Sequence, residues 1–207
     1  MKMLFIGDIV GSPGRQIVHD RLADLVQHRQ IDLVVANGEN SASGFGITPR
    51  IAEGLLEGGI HVLTGGNHSW DRKEIFEYMP HEPRLLRPGN FAEGNPGSGL
   101  YVGSTKSGTK YAVLNLQGRV FLPAIDDPFK KADAELAKLP PDVAFVRSDP
   151  GHVIGMVLDD ILIQIRQCLP HITCVFLVHA ENDGLRKTVV LRQEFSEVMS
   201  DGLRSGT

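Results

Sequence analysis

The feature that most constrains this chain is a pattern repeated along its first third. A short apolar run ends in glycine and polar residues, and helical or polar sequence follows it. The runs are Met3–Ile6, Leu33–Ala36 and His61–Leu63, and they are typical of buried strands. Between them, Gly14–His28 and Pro49–Glu57 carry apolar residues at helical spacing. Strands that alternate with helices through short loops predict an α/β fold.

The remainder of the chain continues this mixed pattern. The expected elements are a hairpin of Leu100–Gly103 with Lys110–Leu116, a helix over Lys130–Leu139, a strand at Val143–Val146, a helix over Gly155–Cys168, and paired strands at Thr173–Val178 and Lys187–Leu191. A chain of 207 residues can bury one core, so residues 1–199 are predicted to form a single domain. The small and polar residues 200–207 are predicted to be a frayed tail.

Composition excludes several classes of function. With 21 basic and 25 acidic residues the formal charge is −4, which gives the whole chain no electrostatic reason to bind duplex nucleic acid. No apolar run reaches the roughly 20 residues that span a bilayer, and no secretion signal is recognisable at Met1–Phe5. A cytoplasmic protein is therefore expected. Cys168 and Cys174 lack the spacing of a zinc or redox motif.

Polar residues follow each of the first three predicted strands. Gly7–Asp8 follows the first strand, Asn37–Asn40 the second and Gly65–His68 the third. Taken singly, such an Asp or Asn-Gly pair is more typical of a helix cap or a turn. In an open α/β sheet, however, the carboxyl ends of strands form one binding edge. Carboxylate and amide oxygens beside an imidazole suit a divalent ion such as manganese, iron or zinc, so the three clusters together predict a metal site.

These clusters also carry a family resemblance. The blocks are Gly7-Asp8-Ile9-Val10-Gly11, Asn37-Gly38-Glu39-Asn40-Ser41, Gly44-Phe45-Gly46, Gly65-Gly66-Asn67-His68-Ser69-Trp70, Asn115-Leu116-Gln117-Gly118-Arg119-Val120-Phe121 and Asp127-Pro128-Phe129. In this order they resemble the signature of bacterial YmdB-like phosphodiesterases, a branch of the calcineurin-like metallophosphoesterases. The resemblance covers about the first 146 residues, and it is the combination of blocks that makes it specific.

The resemblance implies an αββα sandwich and a hydrolase that uses two divalent ions, iron or manganese by preference and zinc as an alternative. Its expected substrate is a small phosphodiester of the 2′,3′-cyclic nucleotide class. By the family pattern Asp8 binds the first metal, Glu39 bridges both, and Asn40 and Asn67 bind the second. His68 resembles the general acid that protonates the leaving oxygen. For Trp70 and Asp71, which follow His68, a helix start with packing and a role in orienting His68 both stay open.

The chain departs from the family after Val146. An Asp-x-His-Ala-Glu block and a later Gly-Thr-His-Thr-His block, which carry histidine ligands in the family, are absent from their expected places. His152, or His179 within Val178–Glu181, are the candidates to replace them, although His179 also fits an ordinary strand position. The second sheet is then expected to be incomplete, which would favour a homo-oligomer.

Three interpretations of this departure remain open. The chain is a metal-dependent phosphodiesterase, either fully active or impaired; or it is a catalytically impaired relative that acts as a nucleotide- or metal-binding regulatory module; or the sequence lacks residues that its relatives have after Val146.

Overall fold

The computed structural model describes residues 1–119, 122–139 and Val143 in full, and the backbone of three further strands. The strands are β1 (Lys2–Ile6), β2 (Leu33–Asn37), β3 (Val62–Thr64), β4 (Leu85–Leu86), β5 (Leu100–Ser104), β6 (Lys110–Leu114), β7 (Ala144–Val146), β8 (Val175–Asn182) and β9 (Lys187–Arg192). The helices are α1 (Gly11–Arg29), α2 (Pro49–Glu57), α3 (Ile75–Tyr78) and α4 (Pro128–Leu136), with a 3₁₀ turn at Met79–His81.

The described strands form two sheets. The first has the order β4-β3-β2-β1-β8-β9, in which β1 to β4 are parallel and β8 and β9 are antiparallel to their neighbours. The second has the order β5-β6-β7, with β5 and β6 antiparallel and β6 and β7 parallel. The expected mixed α/β fold with a parallel sheet is confirmed, as are the β5–β6 hairpin and the pairing of the last two strands.

Both faces of strands β1 to β4 of the first sheet are covered. On one face, strand residues such as Leu4, Val34 and Leu63 pack with helix residues such as Val18 and Leu55. The other face packs on the second sheet through a smaller cluster of Met3, Leu33, Val35, Val62, Leu86, Tyr111 and Val113. Strands with two covered faces must be apolar throughout, which explains the continuous apolar runs that β1 and β2 show in the sequence.

The two longer early helices differ in how they begin. Thr48 caps α2, as its position before Pro49 predicts, because its Oγ1 accepts a hydrogen bond from the Ile51 amide at 3.4 Å. Helix α1 begins at Gly11, three residues before the predicted start at Gly14. Pro13 is tolerated there because the amides of a first helical turn have no partner inside the helix.

Several predicted features lie wholly or partly outside the described residues. These are the helix over 155–168, both cysteines, His152, the part of the predicted domain not described, and the tail at 200–207. Strand β8 continues past the predicted end at Val178 to Asn182, because Glu181 and Asn182 still pair with Thr188 and Lys187. Within the residues that are described, no helix is both long and apolar enough to cross a membrane.

Candidate metal centre

The site lies where the first three strands end. Because β1, β2 and β3 are parallel, their carboxyl ends meet at one edge of the sheet. Two backbone hydrogen bonds join the segments beyond the strands: the Ile9 amide donates to Asn37 O at 2.9 Å, and the Gly38 amide donates to Thr64 O at 3.0 Å. The residues that follow these strands, including the predicted ligands, are thereby fixed relative to one another.

Asp8 and Asn40 are joined by their side chains. The amide Nδ2 of Asn40 donates to both carboxylate oxygens of Asp8, at 3.0 and 2.9 Å, and Asp8 is buried. The backbone of Asn40 is held in turn by the Gly11 amide, which donates to its carbonyl at 3.0 Å. The side-chain oxygen of Asn40 is buried and has no hydrogen-bond partner within the described residues. A buried oxygen without a partner is costly, and a bound cation would satisfy it.

Glu39 lies beside this pair and is held at both carboxylate oxygens. The Asn37 side chain donates to Oε1 at 3.4 Å, and the His68 amide donates to Oε2 at 3.3 Å. Burial raises the pKa of Glu39, and the neighbouring Asp8 charge raises it further, whereas the hydrogen bonds from the His68 amide and from Asn37 oppose the increase. A divalent cation would stabilise the charged form of Glu39, which burial and the neighbouring Asp8 carboxylate disfavour.

Glycine at position 66 is required for this packing. A Cβ atom at residue 66 would overlap the Oε2 atom of Glu39. The Gly-Gly pair before Asn67 thus lets the backbone of the β3 loop approach the Glu39 carboxylate, and any larger residue would displace it.

His68 is paired with Asp71 at the accessible side of the site. Its Nδ1 lies 2.7 Å from Asp71 Oδ2, with side chains that are 28% and 41% exposed. This contact favours a role of Asp71 in orienting the His68 imidazole over a purely structural role. The ring of His68 also contacts that of Phe45 edge to face, with centroids 5.1 Å apart.

Asn67 is exposed, in contrast to Asp8. The turn that carries it is fixed on both sides: Ser69 Oγ donates to Gly66 O at 2.7 Å, and the Asn115 side chain donates to Gly65 O at 2.9 Å. Asn115 follows β6, so the second sheet anchors the loop that presents Asn67 and His68. Asn115 was not among the predicted site residues: it begins one of the blocks that carry the family resemblance, but the sequence placed it inside the predicted strand Lys110–Leu116, which ends at Leu114 in the structure.

The side chains that would hold a hard or borderline divalent ion are the carboxylates of Asp8 and Glu39 and the amide of Asn40, which lie together, while Asn67 lies on the neighbouring loop after β3. Among the residues that the structure describes, no three His, Cys, Asp or Glu side chains are grouped so that they could hold a metal. A second ion would therefore need donors from elsewhere.

His179 is not placed to be one of those donors. Strand β8 runs antiparallel to β1, with His179 opposite Lys2 and Val175 opposite Ile6. His179 is thus at the amino end of β1, whereas Asp8 lies beyond its carboxyl end. At about 3.3 Å per residue, four positions along a strand separate the two ends by roughly 13 Å. The strand interpretation of His179 is the one that the register supports.

Relatives of known sequence match the part of the chain that contains this site. A Bacillus subtilis (strain 168) protein named 2′,3′-cyclic-nucleotide 2′-phosphodiesterase is 49% identical over 145 residues, which are 68% of this chain and 54% of that protein.

Solved structures match over a similar extent. A hypothetical protein from Thermus thermophilus superposes with a TM-score of 0.64 at 36% identity, covering 70% of this chain and 56% of that one. A Mycoplasma pneumoniae structure described as a novel phosphatase gives 0.63 at 34% identity, covering 70% and 54%. The chain thus spans about half the length of the relatives it matches.

The family described as YmdB-like protein matches residues 4–149, which include every predicted ligand and His68. The chain belongs to the YmdB-like family.

Proposed function

We propose that this protein is a metal-dependent phosphodiesterase that hydrolyses 2′,3′-cyclic nucleotides. The observation that carries the proposal is the convergence of Asp8, Glu39 and Asn40, with an unpartnered buried oxygen on Asn40, next to a His68–Asp71 pair. The name of the Bacillus subtilis relative, a 2′,3′-cyclic-nucleotide 2′-phosphodiesterase, supports the substrate class. The fold we propose is the αββα sandwich of the metallophosphoesterases, with an incomplete second sheet.

The cofactors in this proposal are two divalent ions, iron or manganese before zinc, and the second would need further donors from outside the described residues. Asp8 would hold the first, Glu39 would bridge, and Asn40 and Asn67 would hold the second. When bound, such ions polarise phosphoryl oxygens and lower the pKa of water. The two asparagines are neutral, so they contribute oxygen donors without adding negative charge that would repel the phosphodiester.

His68 would act as the general acid. Because Nδ1 is held by the Asp71 carboxylate, Nε2 is the ring nitrogen placed to transfer a proton. Water adds its oxygen to phosphorus, the bond from phosphorus to the ribose 2′ oxygen breaks, and that oxygen takes the proton from Nε2. The product is a 3′-nucleotide, and His68 recovers a proton from solvent. Asp71 stabilises the imidazolium form that gives up this proton.

The test is hydrolysis of adenosine 2′,3′-cyclic phosphate in Mn²⁺, followed by chromatography of the products. We expect adenosine 3′-monophosphate to form and its formation to stop with a chelator or in an Asp8→Asn variant. Because ligands for a second ion are missing from the described residues, we expect turnover well below the enzyme median of about 10 per second. Undiminished turnover in the Asp8→Asn variant would refute the proposed site.

A second candidate is favoured by the absence of an acid and imidazole cluster among the described residues. In this alternative the chain is a regulatory module that binds a nucleotide or a single metal ion without turnover. Saturable nucleotide binding in Mn²⁺, with no 3′-nucleotide formed by the wild-type protein, would favour it over the enzyme. The cytoplasmic location and the homo-oligomeric state expected from the sequence stay predictions.

A further inference from the structure

One aromatic side chain beside the site, Phe45, is largely exposed to solvent. Phe45 is 59% exposed, the highest value among the exposed large apolar side chains of the described residues. Leaving a phenyl ring in water forgoes the roughly 1.5–3 kcal/mol that its burial would contribute. Its single ring contact within the described residues is with His68. The exposed ring therefore lies beside the proposed proton donor.

The loop that presents Phe45 is rigidly held. The Ala42 amide donates to Gly46 O at 2.9 Å, and the Gly44 amide donates to Asn40 O at 3.0 Å. Gly44 and Gly46 have φ values of +95° and +75°, which glycine adopts without strain. The loop thus closes on itself and on the backbone of a predicted ligand.

The guanidinium group of Arg72 holds this loop through two further hydrogen bonds. Arg72 donates from Nε to Phe45 O at 3.0 Å and from Nη2 to Ala42 O at 2.6 Å. These four hydrogen bonds hold the backbone that carries Phe45, so a ligand that uses the ring has little loop ordering to bring about. An exposed aromatic ring on a well-held loop is an arrangement suited to stacking recognition.

We propose that Phe45 is the surface on which the base of the nucleotide stacks, and that it makes the site prefer phosphodiesters that carry a nucleobase. The inference rests on the proposed function. In a nucleotide, a single ribose joins the base to the phosphate. A phosphate bound near Asp8 and Glu39, with its leaving oxygen at His68, would therefore place the base one ribose away, close to Phe45. Stacking is tolerant of base identity because every base has a π-face. We therefore expect selection for a base, with little selection among bases.

The test compares two ligands by calorimetry in Mn²⁺. Adenosine 3′-monophosphate carries a base, and glycerol 2-phosphate carries the phosphate without one. In Phe45→Ala we expect the affinity for the nucleotide to fall by roughly 5- to 150-fold, the range that corresponds to about 1–3 kcal/mol per stacked base. The affinity for glycerol 2-phosphate should stay within about twofold, an order-of-magnitude margin for an untouched contact.

Three further variants make the result specific. Phe45→Trp should keep or strengthen nucleotide binding, whereas Phe45→Leu, which keeps apolar bulk without a π-face, should lose most of it. Phe129→Ala is the matched control, because Phe129 is 51% exposed at the start of α4 and lies in a different element. It should change neither affinity.

Equal affinity of wild type and Phe45→Ala for the nucleotide would overturn the proposal. A similar loss of affinity for both ligands in Phe45→Ala would also overturn it, because Phe45 would then support His68 and not the base. Equal affinity of the wild-type protein for the two ligands would overturn it as well. Hydrolysis of glycerol 1,2-cyclic phosphate by the wild-type protein tests the proposed function separately, because that substrate has no base. The two ideas can thus fail independently.

Discussion

The candidate site has a buried half and an exposed half, and the two are built differently. Asp8, Glu39 and Asn40 form the buried half, in which the side chains bond to one another or to neighbouring backbone. Asn67 and His68 form the exposed half, on a turn that is anchored to the second sheet through Asn115. In the proposed function, the buried half supplies most of the metal ligands, whereas the exposed half adds Asn67 and carries His68 as the proton donor. The difference teaches that cation binding suits side chains shielded from solvent, and that proton transfer suits a side chain that can exchange protons with solvent.

The largest expected effect is a loss of turnover without a loss of metal affinity, on substitution of His68 in the exposed half. His68→Gln should lower turnover of a cyclic phosphodiester by about 100- to 10,000-fold, the usual contribution of a general acid. It should leave Mn²⁺ affinity nearly unchanged, because only the backbone amide of His68 contacts Glu39. Turnover rates and Mn²⁺ binding are measured on the same preparation. A comparable loss of metal affinity would show that the two halves are not separate.

A smaller effect concerns the stability of the buried half without metal. Glu39→Gln removes a charge that burial and Asp8 both disfavour, so the metal-free protein should gain about 0.5–2 kcal/mol in free energy of unfolding near pH 7. Denaturant unfolding in the presence of a chelator measures this change. Glu53→Gln on the exposed face of α2 is the control and should change stability by less than about 0.5 kcal/mol. A less stable Glu39→Gln protein would mean that the carboxylate is not strained.

The smallest expected effect is on the pH dependence of stability. It concerns His61, which lies at the opposite end of β3 from the site. His61 Nδ1 accepts a hydrogen bond from the Val34 amide at 3.0 Å, which requires a neutral ring, and burial lowers the pKa of His61. The unfolded chain therefore binds the proton more readily than the folded one. The contribution of His61 to stability should be present above pH 6.5 and be lost as the pH falls from 6.5 towards the lowered folded value.

Unfolding measured between about pH 7.5 and 5 checks this expectation, since that range spans the titration of histidine. His61→Gln should reduce the loss of stability on acidification by about 0.5–1 kcal/mol, the lower part of the range for one hydrogen bond. His81→Gln, at an exposed position, should leave the pH dependence unchanged. An unchanged slope in His61→Gln would show that this contact does not titrate.

Much of the buried half could be predicted from sequence because it depends on local pattern. Apolar runs that end in Gly7–Asp8 and Asn37–Asn40 fix both the strands and the edge at which the side chains meet. Thr48 and Pro49 likewise mark the start of α2 by local chemistry alone. In each case the signal and the structure it specifies lie within a few residues of each other.

The exposed half could not be predicted in this way because its geometry depends on distant contacts. Asn115 reaches Gly65 across 50 positions of sequence, and nothing local to either residue announces the hydrogen bond. The position of His179 also depends on a distant contact. Only its pairing with Lys2 shows that it lies at the amino end of β1, away from Asp8. From the sequence, a contact between Asp71 and His68 was one of two alternatives, and the three-dimensional structure shows that the contact is present.

The most direct test of the metal centre is a Mn²⁺ titration followed by electron paramagnetic resonance, in which free and bound ions are counted. The wild-type chain should bind Mn²⁺, and Glu39→Gln should weaken that binding by at least about tenfold, with Glu53→Gln unchanged. If the described donors are all that the chain provides, one weakly bound ion is expected, since two would need more ligands. Equal binding by wild type and Glu39→Gln would contradict the assignment of this strand edge as the metal site.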